Sequence, residues 1–227
     1  MNTSSPRMLA AALVASGAIA ACASVPRSQM STGALPAAGQ AGLSPAAMAR
    51  ADSGRPPYTA ADVTFMSGMI GHHAQAVLMA GWAPTHGASP AVRALCERIV
   101  VGQTDEIGLM QRWLRERHET VPAADPRGHM MAGMDHPMLM PGMLSPEQMS
   151  ELDRARGNDF DRLFLLGMIM HHQGAIIMVD ELMSAYGAAQ DGIVYKFSSD
   201  VYADQTTEIE RMTRMLNAVM PAGRSPQ

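Results

Sequence analysis

The sequence predicts an all-α protein, a four-helix bundle assembled from two repeated helical hairpins. Three observations predict it. One stretch of chain occurs twice. Apolar residues recur three and four apart between helix-capping signals, and the Val-rich alternation of strands is missing. Phe65-Met66-Ser67-Gly68-Met69-Ile70-Gly71-His72-His73 matches Phe164-Leu165-Leu166-Gly167-Met168-Ile169-Met170-His171-His172, and Gln103, Glu106, Ile107, Met110 and Leu114 match Gln205, Glu208, Ile209, Met212 and Leu216. Leu43-Ser44-Pro45 likewise matches Leu144-Ser145-Pro146, so the unit at 43–118 returns at 144–219.

Each element has a local reason. Thr59 with Asp62 forms a capping-box pattern that opens a helix over roughly 60–80, and Gly81, Pro84 and Gly87 end it. Ser89-Pro90 supplies an N-cap and a first-turn proline for a second helix running to about Arg117. In the second unit Ser145-Pro146 with Gln148 opens a short helix ending near Gly157. A long helix is expected over about 159–185, and a last one from about Gln190 to Val219. Pairing of the hairpins within one chain or between two chains is left open, so a homodimer remains an alternative.

The first 42 residues read as targeting and tether. Arg7 precedes the apolar run Met8 to Ala21, too short to span a bilayer as a helix and suited to a signal segment over 1–21. The run ends Ile19-Ala20-Ala21-Cys22, which resembles a bacterial lipobox and marks Cys22 for lipidation; an ordinary signal peptide with an incidental cysteine is the alternative. Residues 22–42 are rich in Ala, Ser, Gly and Pro and read as a flexible tether, and 220–227 as a disordered tail. These readings place the mature protein in the periplasm or cell envelope, anchored to a membrane by lipid; by resemblance to Gram-negative sorting rules, Ala23 favours the outer membrane. A net charge of −4 and only 4% aromatic residues argue against nucleic acid as a partner.

Methionine is the unusual residue: 22 of 227, accompanied by 8 His. On a helix Met69, His72, Ala76 and Met79 share one face, and Met168, His171, Ala175 and Met178 repeat it, with His73 and His172 about 100° round. The partner helices carry Gln103 with Glu106, and Gln205 with Glu208, inside otherwise apolar stripes; as buried polar groups they need partners, and facing imidazoles are available. A methionine stripe alone reads as core filler, and a single inward histidine as a hydrogen-bonded one. The doubled Met-x-x-His-His opposite the same Gln and Glu reads instead as a metal centre. Thioether with imidazole selects copper, Cu(I) above Cu(II), with Ag(I) as a surrogate. Gly71, standing where the second unit has Met170, leaves the first unit with fewer thioethers.

Between the units, 119–143 forms a linker with His129, Met130, Met131, Met134, His136, Met138, Met140 and Met143. Pro137, Pro141 and the glycines prevent a long helix, so this tract reads as a loop free to wrap Cu(I), burial against the bundle being the alternative. Cys96 sits among Val92, Leu95, Ile99 and Val100 and reads as an inert core residue, with a copper-binding thiolate as the alternative. His86 and His118 read as surface residues.

These motifs resemble the family of exported bacterial helical-bundle proteins grouped as domain of unknown function 305. The resemblance implies ferritin-like topology and an association with periplasmic copper binding and tolerance. It implies ligand roles for Met69, His72, His73, Met79, Met168, His171, His172 and Met178. The leading expectation is a non-enzymatic copper-binding lipoprotein that buffers the metal or hands it to an envelope partner. Two rivals stand beside it. One is a ferritin-like oxidase using Glu106, Glu208 and the histidines, which has two candidate carboxylates where di-iron bundles use about four. The other is a metal-free structural or partner-binding envelope protein.

Overall fold

The computed structural model describes residues 53–54, 56–128 and 139–219. Five helices form there: α1 (Ala60–Gly81), α2 (Pro90–Glu116), α3 (Pro146–Arg154), α4 (Asn158–Ser184) and α5 (Gly192–Val219). No strand occurs among the described residues. The fold is all-α, as expected. The signal segment with Cys22, the tether, the tail and the linker stretch 129–138 lie outside the described residues.

The caps are those the sequence announces. Thr59 and Asp62 close a reciprocal capping box on α1, and Ser145 and Gln148 do the same on α3. Ser89 accepts from Val92 N with Pro90 in the first turn of α2. α1 packs along α2 and α4 along α5, while the two hairpins meet chiefly through α1 and α4. This is compatible with the expected bundle, but it is an open one: α2 and α5 leave a groove between them.

Helix α4 is long and apolar enough to cross a membrane by length and composition. Half of its most apolar stretch is buried inside the bundle, as in the core helix of a globular domain.

Two matching contacts lock the hairpins together. Asp62, in the first turn of α1, accepts from Ala189 N in the α4–α5 loop at 2.7 Å. Asp161, its counterpart in α4, accepts from Ser89 N in the α1–α2 loop at 3.1 and 3.2 Å. Each repeat therefore holds the other's loop. The loops also carry their own anchors. His86 is buried, not at the surface as expected: its Nε2 donates to Asp153 O at 2.8 Å, and its ring stacks on Trp82. Trp82 and Phe160 cover an imidazole that local polarity alone would leave in water. His118 is exposed, as expected.

Asp191 caps α5 by accepting from Ile193 N and Val194 N, and it also pairs with buried Arg117 and accepts from Trp113 Nε1. Burial alone would raise its pKa; the Arg117 guanidinium and the surrounding N–H donors reverse this and hold the carboxyl below its ordinary value. Arg117 also lies over the Trp113 ring, 4.3 Å from its centroid. Removing one partner strands a buried charge. Asp191→Asn is therefore expected to lower the unfolding free energy by about 3 kcal/mol in urea titrations; a loss under about 1 kcal/mol would show the pair to be dispensable.

Candidate metal centre

The face read from the sequence is buried in the structure. His72, His73, His171 and His172 are each 0% exposed. α1 and α4 bring His72 and His171 together, with ring centroids 3.8 Å apart. The two repeats match closely in detail. His72–His73 and His171–His172 centroids are both 6.3 Å apart, with interplanar angles of 54° and 55°. His73 Nε2 lies 2.8 Å from a Glu106 carboxylate oxygen, and His172 Nε2 lies 2.7 Å from Glu208. The second contact is a well-aligned hydrogen bond; the first is close but less well aimed.

Thioethers flank this layer on both sides. Met69 from α1 and Met178 from α4 fall in one packed cluster, with Met66 and Met110. Met79 from α1 and Met168 from α4 fall in the other, with Met212. That cross-pairing follows from the antiparallel passage of α1 and α4: the methionine one turn before one His-His pair meets the one that follows the other pair. All eight helix-borne candidates, Met69, His72, His73, Met79, Met168, His171, His172 and Met178, are thus buried, the methionines divided between the two clusters.

Ring partners fix the proton positions. His72 Nε2 is 3.0 Å from Pro141 O, which only accepts, so Nε2 carries the hydrogen and Nδ1 keeps its lone pair. The Glu208 carboxylate likewise takes a hydrogen from His172 Nε2, and Glu106 stands beside His73 Nε2. The Nδ1 atoms of His72, His73 and His172 are buried without a partner, as are both ring nitrogens of His171. Burial, and next the neighbouring His73, push the His72 pKa down to about 3. His171 is lowered well below its ordinary value by burial and then by His72, His172 and His73. Both are neutral at physiological pH, which is the form that ligates metal.

Among the described residues no three His, Cys, Asp or Glu side chains converge as a ready-made ligand group. An ion held here would need the thioethers to complete its shell, and those are soft donors. Cys96 does not supply one. It is buried in the cluster around Met79 and Met168, and burial followed by the Asp161 charge pushes its thiol up to about 12. It stays protonated, as the core-residue reading expects.

The linker's second end is not free chain. Residues 139–144 form a strap packed on the bundle, with Met143 and Leu144 buried. Met143 N donates to Met140 O at 3.1 Å, and Gly142 has φ +75 after Pro141, the pattern of a type II turn. Met143 Sδ lies 3.3 Å from Met140 N, and the Met140 sulfur closes with the Met178 methyl over Gly68. The expectation of a backbone free to wrap an ion fails for Met140 and Met143, because apolar burial and turn bonds fix this stretch. His129, Met130, Met131, Met134, His136 and Met138 lie outside the described residues.

Two residues that the sequence reading did not single out hold the strap. Gln75, 1% exposed, donates to Pro126 O and Leu144 O, each at 3.1 Å, and accepts from Leu144 N at 2.7 Å, so one amide pins both ends of the linker. Its counterpart in the other repeat, Gly174, permits close approach: a Cβ there would sit 1.9 Å from Pro141 O. The absence of Met at position 71 has a similar steric cause, since a Cβ on Gly71 already meets Asp125 O at 3.3 Å. The available signal was the mismatch of Gln75 and Gly174 inside an otherwise matching repeat. Glu106 and Glu208 found imidazoles as expected; Gln103 and Gln205 did not, and each leaves a buried, unpartnered Oε1.

Fold and site together define an all-helical protein with an internally duplicated, buried imidazole and thioether core. The chain belongs to the DUF305 family (domain of unknown function), whose sequence profile matches residues 62–216. It is similar to the crystal structure of a DUF305 fragment from Deinococcus radiodurans, at 26% identity and TM-score 0.60, covering 72% of this chain and 99% of that one. It is similar to CopM in the Cu(I)-bound form, at 25% identity and TM-score 0.54, covering 73% and 100%. The Cu(II)-bound form of CopM gives 27% identity and TM-score 0.55, covering 70% and 97%. Among curated proteins none matches the chain.

The depressed His72 and His171 fix the sign of an acid response. Below the unfolded-state value of 6.5 the unfolded chain takes up protons that the native core refuses down to about 3. Metal-free protein is therefore expected to lose unfolding free energy steadily as pH falls across that window, measured by urea titration at several pH values. A flat profile would place these imidazoles in contact with water.

Proposed function

We propose that this protein is a non-enzymatic, exported copper-binding lipoprotein that takes Cu(I), and Ag(I) as its surrogate, into the bundle core. The observation that carries the proposal is a layer of four fully buried imidazoles, each keeping a ring nitrogen without a partner, flanked by thioethers from both repeats. A buried imidazole nitrogen without a partner costs about 1–3 kcal/mol, and a soft cation is the ligand that this donor set repays. Glu106 and Glu208 act behind the imidazoles, holding His73 and His172 at Nε2 while Nδ1 has no partner. The likeness to CopM, with Cu(I)-, Cu(II)- and Ag-bound forms, supports the same choice of metal.

The lipobox-like run ending at Cys22 supports an envelope location, with buffering or transfer of the metal as the role. The linker methionines from 130 to 138 would add capture capacity. The oxidase reading loses ground on one observation: among the described residues the fully buried carboxylates are spent, Asp62 and Asp161 on backbone N–H groups of the opposite hairpin and Asp191 on its helix cap and Arg117.

His171→Leu separates a ligand from a core histidine. Because neither ring nitrogen has a partner, an apolar residue of similar size is expected to keep or raise the melting temperature of the metal-free protein. It is expected at the same time to reduce Cu(I) bound in anaerobic titration against a competing chelator. A lowered melting temperature with full Cu(I) capacity would make His171 a structural residue and end the proposal. Deleting only 129–138, and sparing the packed strap, is expected to lower Cu(I) stoichiometry while the melting temperature holds; unchanged stoichiometry would reduce that stretch to a spacer.

A further inference from the structure

The histidine layer lies between two unlike sides of the bundle. On one side the strap closes it: Pro141 O sits on His72, and the Pro141–Gly142 backbone presses on Gly174 with no room for a methyl group. On the other side lies the groove between α2 and α5, a cavity of about 330 Å³. Its lining includes Gln103, Glu106, Asp204, Gln205 and Glu208. The two glutamates are about a quarter exposed, and each touches a wholly buried imidazole. They are thus the groups that connect solvent to the layer. Gln103 and Gln205, at 5% and 4% exposure, line the same groove with unpartnered Oε1 atoms. Buried amide oxygens left unpaired in matching positions of both repeats are a cost that packing does not require.

We propose that this groove is the port by which the metal cation enters, with Gln103, Glu106, Gln205 and Glu208 as oxygen donors that strip it from water and pass it beyond the His73 and His172 rings to the unpartnered Nδ1 atoms of the layer. The inference rests on the copper-binding reading above and adds its route. Carboxylate and amide oxygens are hard donors and hold a soft ion weakly; no three carboxylates or imidazoles converge there among the described residues, so the groove suits passage rather than storage. Its lining carries more carboxylates than cations: Glu106, Asp204 and Glu208 against Arg98 and Arg211. Burial, and next Glu106, raise the Asp204 carboxyl above its ordinary value.

The test is stopped-flow loading of the full mature protein with Ag(I), which avoids redox chemistry, read with the amount bound at completion. Gln103→Leu with Gln205→Leu removes the amide donors without leaving a polar group unpaired. Asp204→Asn is an exposed, fold-neutral second variant. The expected result is loading at least about fivefold slower for the Gln pair, out of proportion to any change in the end point, with a weaker salt dependence for Asp204→Asn. Wild-type loading rates and salt dependence in both variants overturn the port while leaving the core site standing. A slower rate that only tracks a lower end point also overturns it. Absence of Ag(I) binding by the wild type overturns the copper reading and the port together.

Discussion

Four imidazoles occupy one fully buried layer, and each has a ring nitrogen without a hydrogen-bond partner. Such groups cost about 1–3 kcal/mol each, against a net stability of only about 5–15 kcal/mol for a typical domain. The rest of the molecule has to offset that strain, and it does so at its ends. Asp62 and Asp161 grip the opposite hairpin loops, and Asp191 combines a helix cap with a buried pair to Arg117. His86 ties the first loop to α3. The centre is kept poor in internal bonds and the periphery rich in them. On the copper reading proposed above, the cation supplies the missing interactions on arrival.

The chemistry of the layer follows from what stands behind each ring. A backbone carbonyl fixes His72 and carboxylates fix His73 and His172, so three rings present the same atom inward. His171 has no such partner and lies against His72. Thioethers stand on both sides and bring no proton of their own to displace. The arrangement thus needs no thiolate, and Cys96 remains a protonated core residue.

The helices and the eight helix-borne candidates were legible because both depend on local pattern. Capping at Thr59, Ser89 and Ser145 and spacing of three and four residues fix them regardless of partner. What stayed hidden depends on which surface meets which. His86 was misread because its cover, Trp82 and Phe160, comes partly from a distant helix. The strap was read as free chain because turn residues look alike whether exposed or packed; only Gln75 and Gly174, opposite it, reveal the difference. The unpaired amides of Gln103 and Gln205 could not be foreseen either, since a stripe shows that a side chain is buried but not what it faces.

The strap has a consequence for the symmetry of the molecule. Two equivalent hairpins related by a two-fold axis present every feature twice, but a segment joining the end of one to the start of the other exists once. Where it crosses between α1 and α4, the equivalent positions 75 and 174 must serve different needs: an amide to hold backbone on one helix, a bare α-carbon to admit it on the other. A pair of separate, identical hairpins has no way to meet both needs with one sequence. Duplication within a single chain removes that restriction, so one end of the axis can be shut while the opposite end stays open.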